Sequence, residues 1–148
     1  MSQIKKFMPV MARHEGNWVG EYIHVDMSGL IIDQHKSELS CTFPEKGPFP
    51  YFQKNLYTWE SGKTEEILFQ GTFKDNKVWF NNDRIKGYVW ELDQRSLMLT
   101  WVRKDIESSY LYEMIQLNES NNSRTRTWHW FKDDECFQRT LIKEKRID

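Results

Sequence analysis

Apolar and polar residues alternate in short runs along almost the whole chain, the pattern expected of half-buried strands. The runs are 17–26 (NWVGEYIHVD), 30–43, 51–60, 64–73, 77–82, 86–93, 96–104, 109–118, 123–131 and 136–144. Turn-forming residues separate them at roughly 8–12-residue spacing. Met27-Ser28-Gly29 divides the first two runs, and PEKGPFP (44–50) is the one long irregular stretch. Only IKKFMPVMARH, near the start, reads as a short helix, and Pro9 interrupts it. About ten antiparallel strands in a row leave two open edges unless the sheet closes. The expected fold is all-β: a closed, up-and-down antiparallel barrel of about 8–10 strands with a short N-terminal helix, a single domain over 1–148.

Four turns suggest registers. In Trp59-Glu60-Ser61-Gly62-Lys63-Thr64 a two-residue turn at Ser61-Gly62 sets Glu60 against Lys63. Asp75-Asn76, both tolerant of positive φ, forms the tip between Phe73 and Val78. Residues 92–97 and 131–136 fit the same scheme, the latter with Lys132 opposite Glu135. Faces follow from parity. Phe69, Gly71 and Phe73 share one with Val78 and Phe80. Tyr88, Trp90 and Leu92 share one with Leu97, Leu99, Trp101 and Arg103. Trp128 falls opposite Arg139, and Trp130 opposite Phe137.

Composition changes this picture at one point. Aromatic residues make up 15% of the chain, with seven Trp. So many large rings imply either a very aromatic core or a ring-lined cavity. Net charge is −1 and pI about 6.4, which argues against nucleic-acid or anionic-membrane partners recruited by bulk charge. No run approaches the ~20 apolar residues of a membrane span, and the start lacks the apolar core of a secretory signal. The expected location is therefore cytoplasmic, with Cys41 and Cys136 as reduced thiols.

Gly16-Asn17-Trp18-Val19-Gly20, opening the first strand, resembles the Gly-x-Trp start of calycins, the group of lipocalins, fatty-acid-binding proteins and nitrobindin-like barrels. The resemblance implies that Trp18 closes the barrel base and that an arginine late in the last strand packs over it, Arg139 being the matching candidate ahead of Arg146. More narrowly, HEGNWVGEY, IIDQHKS, YEMIQL and TWHWF are similar to uncharacterised bacterial lipocalin-like proteins of the domain-of-unknown-function kind, which carry no activity to transfer. The chain departs from secreted lipocalins in lacking a signal and a C-terminal helix. It departs from fatty-acid-binding proteins in lacking a two-helix lid after the first strand.

The stretch RTRTWHWF (124–131) carries Arg124, Arg126, Trp128 and Trp130 on one face. Inside a barrel, the guanidinium groups would hold a ligand's anionic end by charge-assisted bonds and the indoles would line its apolar part. Outside, they would stack on one another and pair with Glu across strands. Arg126-Thr127-Trp128 resembles the late Arg-x-aromatic pattern of fatty-acid-binding proteins. The preceding hairpin leaves the question open, since either Arg126 or Thr127 can oppose Met114. Arg103 is a second inward cation or marks the rim; Lys104-Asp105 directly after it favours the rim. No histidine pair has zinc-motif spacing, so neither metal nor cofactor is expected, although His24 or His129 would serve as a haem ligand in a nitrobindin-type barrel.

These readings converge on a barrel that binds a small, mostly apolar or amphiphilic molecule with an anionic or polar end. Trp18, Tyr22, Tyr88, Trp90, Trp101, Trp128 and Trp130 would line it, with Arg103, Arg124, Arg126 and Arg139 as cations. The alternative is a calycin-fold isomerase, cyclase or lyase using Glu113, His24 or Tyr112 as acid or base. Monomer and homodimer both remain open.

Overall fold

In the computed structural model, which describes residues 2–147, ten strands close into a barrel. They are β1 (Gly16–Asp26), β2 (Ile31–Thr42), β3 (Tyr51–Thr58), β4 (Thr64–Lys74), β5 (Lys77–Asn81), β6 (Ile85–Glu91), β7 (Ser96–Arg103), β8 (Ser109–Leu117), β9 (Ser123–Lys132) and β10 (Glu135–Ile147). Each pairs antiparallel with its sequence neighbours, and β10 returns to pair with β1, so the sheet has no free edge. Before β1 come two helices rather than one, α1 (Gln3–Phe7) and α2 (Pro9–Ala12). The break falls at Pro9, which opens α2 at a position where its missing N–H costs nothing.

The helices plug one end of the barrel. Ile4, Met8, Val10 and Met11 join the main apolar core, and Met11 N–H donates to Glu91 Oε2 at 2.8 Å. This end is the base. The turns after β1, β3 and β9 surround the opposite end, the mouth.

Trp18 is fully buried at the base and donates its indole N–H to the His14 carbonyl at 3.1 Å. The guanidinium carbons of Arg124 and Arg146 each lie 4.4 Å from its ring centroid. Desolvated contacts of this kind contribute up to about 2 kcal/mol each. The flanking glycines make the arrangement possible. Gly16 sits at φ +131, and a side chain there would strike Arg146. A Cβ on Gly20 would collide with the Lys143 backbone and with Glu144, whose Cγ would be 2.6 Å away. The arginine over the tryptophan is Arg146, not Arg139, and Trp18 lies beneath the cavity rather than in its wall.

The Asp75-Asn76 turn forms as expected, at φ 55° and 56°, with Phe73 opposite Val78. Three other registers slip by one residue. The β3–β4 loop takes three residues, 60–62, with Gly62 at φ +89, so Trp59 rather than Glu60 meets Lys63. The β6–β7 loop also takes three, because Asp93 Oδ1 accepts the N–H groups of Arg95 (2.9 Å) and Ser96 (2.8 Å). Glu91 then pairs with Leu97 and Val89 with Leu99. Tyr88 and Trp90 consequently leave the face of Trp101 and point outward, the Tyr88 ring packing at a tilt with its centroid 4.8 Å from that of Trp79. In the β9–β10 hairpin Lys132 does oppose Glu135, but a bulge at Phe137 re-pairs Trp130 with Gln138, His129 with Arg139 and Trp128 with Thr140. Arg139 is therefore exposed on the outer surface.

Trp18→Ala is expected to lower unfolding free energy by about 3–5 kcal/mol, since it empties a large buried site and strips two guanidinium groups of their ring. Urea unfolding followed by circular dichroism measures this, and Trp18→Phe should cost clearly less.

Candidate functional site

The barrel encloses a cavity of about 500 Å³ that opens at the mouth beside Asn82, Asp83 and Arg103. Its two sides differ in chemistry. Strands β4 to β8 contribute an apolar wall that includes Phe69, Phe80, Leu97, Leu99, Trp101 and Ile115. Strand β3, next to β4, turns Tyr51, Gln53, Asn55 and Tyr57 inward at every second position. These four form a hydrogen-bonded column. Tyr51 OH donates to Gln53 Oε1, Gln53 Nε2 to Asn55 Oδ1 (2.9 Å) and Asn55 Nδ2 to Tyr57 OH (2.8 Å). Tyr57 OH reaches Tyr22 OH on β1 at 3.5 Å.

Strand β9 presents Arg124, Arg126, Trp128 and Trp130 to the same interior. Of the two β8–β9 registers compatible with the sequence, the observed one pairs Met114 with Thr127 and Glu113 with Trp128. Glu113 therefore points inward and is 1% exposed. Both arginines are buried and matched by buried carboxylates. Arg126 Nε donates to Glu113 Oε2 at 2.6 Å, and its Nη1 to Tyr22 OH (3.1 Å) and Glu144 Oε1 (3.4 Å). Arg124 Nε donates to Glu144 Oε1 at 2.8 Å and its Nη1 to His14 Nδ1 at 2.8 Å. Two cations and two anions cancel.

Proton equilibria follow. Burial, then the charges of Arg124, Arg126, Arg146 and Arg13, hold His14 well below its ordinary value, so it is neutral and accepts from Arg124. Burial alone would raise Glu144, but Arg124 and Arg126 more than offset this and draw it below the usual range. Burial opposes the charge on Arg126, and Glu113, Tyr22 and Glu144 hold it on.

Of the candidate ligand-binding aromatics, Tyr22, Trp101, Trp128 and Trp130 line the cavity. The indole N–H groups of Trp101, Trp128 and Trp130 are buried and make no hydrogen bond to another described residue. Arg103 sits at the rim, bonded to Asp105 at 2.7 and 2.8 Å, with its guanidinium 5.9 Å from the Trp130 ring. Tyr112 is 45% exposed and rests outside on Phe131, away from Glu113. His24 faces the mouth, where its Nδ1 lies 2.7 Å from Thr140 Oγ1 and its Nε2 3.2 Å from Nε2 of His35. Sequence reasoning missed His35, Tyr57 and the β3 column. Parity on β1 and β2 would have revealed His35, since β1 Tyr22 pairs with it directly.

Two outcomes are expected. Arg126→Met alone should cost about 3–5 kcal/mol by leaving buried carboxylates uncompensated, and adding Glu113→Leu should recover much of that. Chemical unfolding of the single and double variants reads both. Stability should also fall with acid in two stages. Below about pH 6.5 the unfolded chain binds protons that His14 and His35, both buried, and half-buried His24 refuse. Glu144, depressed in the folded state, adds a second fall from about pH 4.5 downward. Urea midpoints across this range check it, with His14→Gln shrinking the first stage and sparing the second.

No family model matches the chain, and no curated protein does. Solved structures do. A protein of unknown function from the DUF3598 family of Nostoc punctiforme PCC 73102 matches with TM-score 0.72 and 18% identity over 93% of this chain, which spans only 49% of that one. The S-type phycobiliprotein lyase of Guillardia theta matches with TM-score 0.69 and 14% identity over 100% of this chain and 94% of its own. A redesigned β-barrel matches with TM-score 0.51 and 10% identity over 94% and 96%. At such identities the likeness is one of fold, a closed antiparallel β-barrel.

Proposed function

We propose that this barrel binds a small amphiphilic molecule, apolar over one side and bearing hydrogen-bonding oxygens along the other. The observation that carries the reading is the division of one cavity into an apolar wall on β4–β8 and a polar wall from β3 to β9 and β1. Its volume of about 500 Å³ lies within the ~300–1,000 Å³ usual for small-molecule sites. Covering about 200 Å² of apolar surface contributes about 5 kcal/mol. Orientation comes from donors. The ion pairs of Arg124 and Arg126 use Nε and Nη1, which leaves Nη2 of each for a ligand acceptor. Because Glu113 and Glu144 already balance the arginines, a polar acceptor serves as well as a full negative charge. Their engagement in ion pairs also favours carriage over acid–base catalysis.

Tryptophan emission titrated with 1-pyrenebutyrate and with pyrene tests this. The carboxylate should bind at least about tenfold more tightly, a difference of about 1.4 kcal/mol. Asn55→Leu and Arg126→Lys should erase the preference, whereas Trp101→Ala should weaken both probes. Equal affinity for the two probes, or no binding by a folded barrel, would refute the proposal.

A further inference from the structure

We propose that His24, Asp33 and His35, at the barrel mouth, form a binding site for a divalent late transition-metal ion such as Zn²⁺. The three residues come from both strands of the β1–β2 hairpin. His24 and Asp33 are direct cross-strand partners, and His35 lies two residues further along β2, so all three side chains share the inner face. One ligand atom from each lies within 4.8 Å of the others. The two imidazoles bring their Nε2 atoms to 3.2 Å. Two nitrogens each ~2.05 Å from a tetrahedral zinc stand about 3.3 Å apart, so this spacing is that of two histidines sharing one ion.

The outer partners suit the same role. His24 Nδ1 lies 2.7 Å from Thr140 Oγ1, an acceptor that favours the Nδ1–H tautomer and frees the Nε2 lone pair. The Gln138 amide, 3.2 Å from the same nitrogen, can present its oxygen by rotation. His35 Nδ1 lies 3.5 Å from the Lys36 carbonyl. Trp59 Nε1 donates to both oxygens of Asp33, at 3.0 and 3.2 Å, and its ring packs 4.5 Å from His35, which steadies the carboxylate beside the histidines. Burial keeps both histidines below their ordinary pKa, neutral and able to ligate. Two nitrogens and one carboxylate match zinc, cobalt or nickel better than calcium or magnesium, which take oxygen donors. Three protein ligands leave a fourth tetrahedral position for water or for an oxygen of a molecule in the cavity, whose wall these residues share. The ion site does not depend on that molecule.

The test is calorimetric titration of the chelator-treated full chain with Zn²⁺, alongside Co²⁺ absorption as a report of coordination geometry. One ion per chain and a tetrahedral Co²⁺ spectrum are expected. His24→Gln and His35→Gln should each weaken binding at least about tenfold, and Asp33→Asn measurably, while the exposed His129→Gln changes nothing. Circular dichroism confirms folding. If His35→Gln fails to fold, His24→Gln and Asp33→Asn decide. Binding unaffected by these changes, binding lost in His129→Gln, or an octahedral Co²⁺ spectrum would overturn the proposal.

Discussion

Two arginines can sit inside this barrel only because two glutamates sit there with them. An isolated ion moved into such surroundings costs several kcal/mol even after relaxation. Here Arg126 with Glu113 and Arg124 with Glu144 form a neutral set, tied to the base through His14 and to β1 through Tyr22. Its members come from β8, β9 and β10. A one-residue slip of β8 or β10 would throw one carboxylate into the open, and a slip of β9 both arginines, stranding their partners. The charge set therefore fixes the register that also turns Trp128 and Trp130 into the cavity.

The same constraint explains the unevenness of the interior. Once cations and anions occupy the β8–β10 side, their neighbours must be able to hydrogen-bond, and β3 supplies a column of tyrosine, glutamine and asparagine at alternate positions. These groups bond first to one another, so their orientation is set before anything enters. Strands β4 to β7, further from the charges, are free to be apolar over most of their inner face. Fold and site are thus one packing solution.

Much of this was legible in the sequence. All ten strands and the closed barrel follow from alternation and turn spacing, and the inward placement of Tyr22, Trp101, Arg124, Arg126, Trp128 and Trp130 agrees with the cavity reading. What escaped was the exact length of loops. Asp93 captures two backbone N–H groups and adds a residue to its turn, which sends Tyr88 and Trp90 outside. Phe137 bulges and takes Arg139 with it. Such one-residue events leave no mark on hydrophobic periodicity. The role of Glu113 depended on a hairpin register that local pattern left undecided, and the partnership of His24 with His35 depends on β1–β2 pairing rather than on spacing along the chain.

The Phe137 bulge has a consequence for how this barrel can change over generations. It is a phase shifter. Below it, β10 reads Thr140, Ile142 and Glu144 into the interior; an uninterrupted ladder from the same turn would read Phe137 and Arg139 into the space beside His24. Loss of the Phe137 codon alone would close the bulge and leave Gln138 opposite Trp130 and Thr140 opposite Trp128, whereas straightening the bulge with Phe137 retained would set a ring and a guanidinium where an amide and a hydroxyl now stand. Carried along β10, that shift would also turn Glu144 away from Arg124 and move Arg146 off Trp18. The bulge is thus a place where the chain can shed a link and keep its phase, while a straightened copy of full length would have to rebuild both ends of the barrel.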